Sequence, residues 1–148
     1  MKKLDELDFK ILSILQKDCR ANFVTISKEL GKSVTTVAYR LNRLFKMGII
    51  KKCTAIADAK KLNLNYSAII MGRIKPGKFA ELSKFFEDHE EVQLAFAITG
   101  QYDFCLYAAF KDESAYFKFI EDLHKTECVT ETTTFYIVKK MKEDIRVL

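Results

Sequence analysis

Over residues 4–47 the apolar positions recur every three or four residues, the period of helices with one buried face. Leu4, Leu7, Ile11, Ile14 and Leu15 mark a first helix over 4–17, with Asp5 and Asp8 placed to cap and charge its first turn. Asp18-Cys19-Arg20 ends it. Asn22 suits the N-cap of a short second helix, 23–30, with Phe23, Ile26 and Leu30 inward, and Gly31 follows where positive φ costs glycine little. Ser33 caps a third helix that reaches about Met47 and is stopped by Gly48. Its apolar stripe is Val34, Val37, Ala38, Leu41, Leu44 and Phe45. A short helix, a glycine-containing turn and a longer capped helix make a helix-turn-helix. Ile49–Asp58 then reads as a β-ribbon, or wing.

From residue 66 the pattern changes. Tyr66–Ile74, Val92–Thr99, Asp103–Phe110 and Thr132–Lys139 are β-branched or apolar runs, broken by Pro76-Gly77 and Gly100-Gln101-Tyr102. Phe79, Leu82, Phe85 and Phe86 space a helix over 78–89; Ala115, Tyr116, Phe119, Ile120 and Leu123 space another over 112–125. The order β-α-β-β-α-β predicts a ferredoxin-like sandwich, one sheet face covered by two helices. The other face, with Tyr107, Thr132, Thr134 and Tyr136 available, calls for a partner, and a second copy of the chain is the economical one. The fold class expected is α+β, with a winged helix-turn-helix over 1–60, including the wing strand, and a ferredoxin-like domain over 61–148.

Composition adds exclusions. Of 148 residues, 49% are hydrophobic and 30% charged, enough for a packed core and against global disorder. One Pro and five Gly leave no room for collagen-like or low-complexity segments. No run of 18 apolar residues is present, and the acidic N-terminal stretch lacks the apolar region of a signal peptide, so a soluble, cytoplasmic protein with no membrane partner is expected. Cys19, Cys53, Cys105 and Cys128 are 34, 52 and 23 residues apart, and the two histidines, His89 and His124, are far from each other. Buried thiols in a reducing compartment are expected, with no metal site and no cofactor.

Charge divides the chain in two. Residues 1–64 hold 14 Lys and Arg against 6 Asp and Glu (+8), and residues 65–148 hold 11 against 14 (−3), matching the net +5. A basic first part points to a polyanion, double-stranded DNA above all. The third helix carries the matching chemistry opposite its apolar stripe: Thr35, Thr36, Tyr39, Arg40, Asn42, Arg43 and Lys46. Thr35, Thr36 and Tyr39 are expected at bases or sugars, and Arg40 and Arg43 at phosphate or guanine. Lys32 and Ser33, at the helix N-terminus, suit a phosphate. Lys51 and Lys52 suit the backbone beside the wing. A plain three-helix bundle with a solvated face gives the same pattern, and Tyr39 suits packing as well as base contact. In the second part, stacking aromatics are not evident on the middle strands and no metal-binding Cys pair occurs, which argues against RNA binding and metal transfer.

Taken together, the chain resembles the Lrp/AsnC, or feast/famine, family over nearly its full length. The likeness runs through Leu4-Asp5, Asp8, Ile11-Leu12, Leu15 and Arg20, then Ser33, Val37, Arg40, Leu41, Arg43, Leu44 and Gly48-Ile49-Ile50. It continues with Val92, Thr99-Gly100-Gln101-Tyr102-Asp103, Val129, Thr132 and Thr134. The resemblance implies a DNA-binding transcriptional regulator whose second, RAM-type domain binds an effector, commonly an amino acid. Family members dimerise through the sheet and often stack into octamers. The effector pocket it implies involves Gly100, Gln101, Tyr102, Asp103, Thr132 and Thr134. Glycine would let backbone approach an α-carboxylate and Asp103 would accept from an α-ammonium; the alternative is that Gly100 and Asp103 only shape a hairpin. Glu127-Cys128 departs from the Pro-Gly common before the last strand, and Ser27 stands where Ala is usual. Two other functions compete: an architectural protein that wraps DNA without an effector, and a tetrapyrrole decarboxylase-like enzyme drawing on His89, His124, Arg73 or Tyr107. No catalytic residue is assigned, and an enzyme is not expected.

Overall fold

The computed structural model describes residues 3–144 and 146–148. Its internal contacts divide the chain into two compact units: residues through Ile56 together with Glu143–Leu148, and Ala57–Lys142. The division thus lies after Ile56, against an expected boundary at 60/61, and the last residues join the first unit.

The first unit contains α1 (Glu6–Lys17), α2 (Phe23–Leu30) and α3 (Val34–Lys46). Each start is fixed by a polar side chain. Asp5 and Asp8 form a reciprocal capping box, the Asp8 N–H donating to Asp5 Oδ1 at 3.1 Å and the Asp5 N–H to Asp8 Oδ2 at 3.0 Å. Asn22 accepts from the Thr25 N–H at 2.9 Å, and Ser33 Oγ from the Thr36 N–H at 3.1 Å. Gly31, at φ +60°, ends α2 in the left-handed region. Ile11, Leu12, Ile26, Val37, Leu41 and Leu44 form the core of the three helices. Three positions expected inward are exposed: Phe23, Val34 and Phe45 each keep over 40% of their surface, the buried positions being Ile26 and Ser27 in α2 and Val37, Leu41 and Leu44 in α3.

After α3 the structure corrects an expectation. Ile49–Asp58 is not a β-ribbon: no strand occurs there among the described residues. A ribbon needs a second strand to exchange N–H and C=O groups, and none lies beside this segment. The thiols also differ from expectation. Cys19 and Cys53 are exposed, Cys105 is half-buried and only Cys128 is buried, because the first two sit in a turn and an irregular segment rather than on an inward face.

The second unit runs β1 (Tyr66–Ile74), α4 (Phe79–Glu87), β2 (Val92–Ala97), β3 (Phe104–Phe110), α5 (Glu113–Lys125) and β4 (Val129–Tyr136), after a short 3-10 turn at Lys60–Leu62. The strands form one antiparallel sheet in the order β2-β3-β1-β4. Alternation sorts its faces: Ala68, Ile70, Phe104, Leu106, Ala108 and Phe110 are buried with Leu82 and Phe86 of α4 and Phe119 and Leu123 of α5. At Gly72 the strands and the core approach closely. A Cβ there would meet the Glu131 carbonyl oxygen at 2.5 Å and the Phe104 ring at 2.7 Å. β4 begins at Val129, not Thr132, because it pairs with β1 as far as Ile74, and it ends at Tyr136, opposite Ala68.

That register corrects the open face. Thr134 opposes Ile70, Thr132 opposes Gly72 and Tyr136 opposes Ala68, so all three lie on the helix side, where Tyr136 also meets the Tyr66 ring. The open face carries Leu94, Phe96, Tyr107, Ile69, Met71 and Phe135. Of the four residues expected there, Tyr107 alone is present, with the Lys140 ammonium 5.4 Å from its ring centroid.

Candidate DNA-binding and effector sites

The exposed face of α3 is a single stripe. Thr35, Tyr39, Asn42 and Lys46 are exposed and fall at i, i+4, i+7 and i+11, one side of the helix. Tyr39 keeps 62% of its surface. At the head of the helix, Ser33 Oγ lies 2.9 Å from Thr35 Oγ1 and 2.8 Å from Thr36 Oγ1, so three hydroxyls are knit together above the first free N–H groups. Lys32 precedes them and is exposed, as is Lys51 beyond the helix. The stripe offers donors, acceptors, one ring and one cation.

Arg40 and Arg43 do something else. Their expected free cationic heads are turned back onto α1. Arg40 Nη1 bonds Asp5 Oδ2 and lies 3.2 Å from Asp8 Oδ1, while Arg43 Nη1 lies 3.6 Å from Asp8 Oδ2 and its Nη2 donates to the Lys3 carbonyl at 3.2 Å. The two arginine side chains are 22% and 16% exposed, and the Asp8 side chain has no exposed surface. A buried carboxylate needs cations near it, and these are the nearest. The hydrogen bond from Arg40 holds the Asp5 carboxyl below the usual carboxylate range and pushes the Arg40 guanidinium up. Arg40 and Arg43 thus tie α3 to α1.

The turn between β2 and β3 is built around Asp103. Its Oδ2 accepts from the Ile74 N–H at 2.9 Å, its N–H donates to the Gly72 carbonyl at 2.9 Å, and its carbonyl accepts from the Ile98 N–H at 2.9 Å. Gly100, at φ +126°, makes the bend that lets Asp103 reach β1. Tyr102 OH meets Thr133 Oγ1 of β4 at 3.0 Å, and Gln101 is exposed. Thr132 and Thr134 point the other way: Thr132 Oγ1 is 3.1 Å from His124 Nε2, and Tyr116 OH donates to Thr134 Oγ1 at 2.9 Å. The six expected effector residues therefore divide. Gly100–Asp103 forms a turn that reaches Thr133, while Thr132 and Thr134 share the opposite side of the sheet with His124 and Tyr116.

Residues 4–51 match the family described as winged helix-turn-helix DNA-binding, and residues 67–147 match the Lrp/AsnC ligand binding domain. The chain belongs to the Lrp/AsnC family. It is 33% identical over 140 residues to the HTH-type transcriptional regulator FL11 of Pyrococcus abyssi, covering 95% of this chain and 93% of that one. The leucine-responsive regulatory protein of Klebsiella pneumoniae is 32% identical over 151 residues, with 99% and 92% covered. Among solved structures, a transcriptional regulator of Neisseria meningitidis in complex with L-Met superposes with a TM-score of 0.87 at 29% identity, over 97% of this chain and 95% of that one.

This Lrp/AsnC chain is thus a transcriptional regulator with a DNA-binding helix-turn-helix and a ligand-binding domain. Among the described residues no group of three or more His, Cys, Asp or Glu could hold a metal ion, and no helix is long and apolar enough to cross a membrane. The four side chains weighed for enzyme chemistry are dispersed: His89 Nδ1 is 2.6 Å from the Phe85 carbonyl, His124 meets Thr132, Arg73 pairs with Glu131, and Tyr107 faces the open sheet. Sequence reasoning assigned no contact to Asn42 or Lys46, although both were placed on the polar face and their i+3 and i+7 spacing from Tyr39 was available. It missed Thr133 because the face of a strand follows from register, which a single sequence does not carry.

Proposed function

We propose that the protein reads double-stranded DNA through the exposed stripe of α3, works as a homo-oligomer in the cytoplasm, and responds to an amino acid. The stripe of Thr35, Tyr39, Asn42 and Lys46 carries the reading, because its groups suit base edges and phosphates and it belongs to the basic unit. Lys32, Ser33, Thr36 and Lys51 flank it and take phosphates, while Arg40 and Arg43 act by holding the helix. The chain assembles through the open sheet face, where Leu94, Phe96 and Phe135 are exposed apolar side chains that a second copy would cover. The effector is an amino acid, a reading supported by the L-Met complex of the Neisseria regulator, and it binds at Gly100–Asp103 with Thr133. Its effect on DNA affinity equals its preference for one assembly over another. The protein regulates and does not catalyse.

The test is titration of DNA upstream of the protein's own gene against salt, with random duplex as control and the twenty amino acids present or absent. Binding that beats the control and shifts with amino acids supports the reading, and the salt slope counts the phosphates. Equal affinity for both duplexes, indifferent to amino acids, supports DNA wrapping without an effector.

A further inference from the structure

We propose that Cys19 and Cys53 form a thiol–disulfide modification site that reacts with a small disulfide of the glutathione type and closes into a bridge around the helix-turn-helix. Cys19 lies in the turn between α1 and α2; Cys53 lies in the irregular segment after α3. Both are exposed free thiols. Both line one open groove of the first unit, with Leu15, Ile49, Lys52 and Ile56. Cys19 Sγ lies 3.7 Å from the carbonyl oxygen of Thr54, the neighbour of Cys53.

A disulfide needs Cα atoms about 4.4–6.8 Å apart and a fixed dihedral between the sulfurs. Contact between the Cys19 sulfur and the Thr54 carbonyl puts both cysteines in the same groove, and closing the bond requires the segment around Cys53 to shift. The segment has room for that shift, since no strand occurs in 49–58 among the described residues. Cys105 has no such freedom, being paired within β3, and Cys128 is buried.

The chemistry balances in two exchanges. One protein thiolate attacks a sulfur of the small disulfide; that S–S bond breaks, one small thiolate leaves and takes up a proton, and a mixed disulfide remains. The second protein thiolate then attacks the protein sulfur of the mixed disulfide and releases the second small thiol. Two protein thiols lose two electrons and two protons, and the small disulfide gains them as two thiols. The bridge encloses residues 19–53, all of α2 and α3, so it removes freedom from the unfolded form of the DNA-reading motif.

Reduced full-length protein would be incubated with oxidised glutathione, remaining thiols blocked, and peptides mapped by mass alongside thermal melting. The expected result is one linked pair joining Cys19 to Cys53, formed at a rate independent of protein concentration. Melting of the first unit should rise on the order of 10 °C and return on reduction with dithiothreitol. Cys19→Ser and Cys53→Ser should each stop at the mixed disulfide with no rise, while Cys105→Ser should leave the bridge intact. Wild-type protein that carries only mixed disulfides, only bridges between chains, or unreacted Cys19 and Cys53 would overturn the proposal.

Discussion

Asp8 of α1 and Arg40 of α3 are 3.2 Å apart across the first unit, and the Asp8 side chain has no exposed surface. The same carboxylate caps α1 by accepting from the Asp5 N–H and faces Arg43. One side chain thus starts the first helix and fixes α3 against it. Asp8→Ala leaves Arg43 without its carboxylate, Arg40 with Asp5 alone, and the cap without its second half. A loss of about 3 kcal/mol is expected, or roughly 10 °C or more in the melting of this unit. A melting temperature within a degree of wild type would show that the network contributes nothing net.

The division between holding and reading is separable by mutation. Asn42→Ala and Lys46→Ala alter exposed groups outside the buried core, so melting should not move. Their DNA affinity should fall, by about 1–3 kcal/mol for a base contact at Asn42, and with a salt slope shallower by about one for a phosphate contact at Lys46. Arg40→Ala should instead lower the melting temperature first. Binding that survives both Asn42→Ala and Lys46→Ala at full strength removes α3's exposed stripe from the interface.

Acid should loosen the first unit through Asp5. Its carboxyl is depressed in the folded chain, chiefly by the hydrogen bond from Arg40, so the stabilisation is present above the unfolded value of about 3.9 and is lost as pH falls through the folded one. Asp144, lowered to about 2 by Arg146, behaves alike in the same unit. Melting followed from pH 6 down to about 2 should fall below roughly pH 4, and more gently in Asp5→Asn. An acid limb unchanged by that substitution would mean that Asp5 carries no linkage.

What the sequence made legible was local. Asp5, Asn22 and Ser33 cap their helices because each meets a backbone N–H three residues on. The strands and helices of the second unit were likewise evident in their own periodicity. Relationships across the chain were not. The destination of Arg40 and Arg43 depends on a helix more than thirty residues earlier, and a charged residue on a polar face looks the same whether it meets DNA or Asp8. Thr132, Thr134 and Tyr136 were correctly grouped on one side of a strand, but the pairing of Thr134 with Ile70 decides which side. The wing pattern at 49–58 predicted a ribbon, and among the described residues no strand forms there.

Glu127 occupies φ +56°, in the tight turn from α5 into β4. That region suits glycine, and the turn is held by the Glu127 N–H to the His124 carbonyl at 3.0 Å and the Cys128 N–H to Thr126 Oγ1 at 3.1 Å. Glu127→Gly should relieve the cost of a left-handed backbone at a residue with a side chain and raise stability by about 0.5–1 kcal/mol, read as a small upward shift in urea midpoint with unchanged slope. A lower midpoint would mean that the gain in unfolded-state freedom outweighs the strain.

Asp103 decides between the two readings of the Gly100–Asp103 turn. One carboxylate oxygen accepts from the Ile74 N–H, which is enough to fix the hairpin against β1. Asn keeps an acceptor oxygen for that bond and removes the charge that would meet an α-ammonium. Asp103→Asn should therefore melt close to wild type, and Asp103→Ala should lose about 1–2 kcal/mol. If the turn binds an amino acid, the Asn variant loses the response of DNA binding to amino acids while keeping the DNA affinity itself, by tenfold or more for a lost charge-assisted bond. A full amino-acid response in Asp103→Asn would leave the carboxylate with a structural role alone, and would put effector recognition on other groups near Thr133.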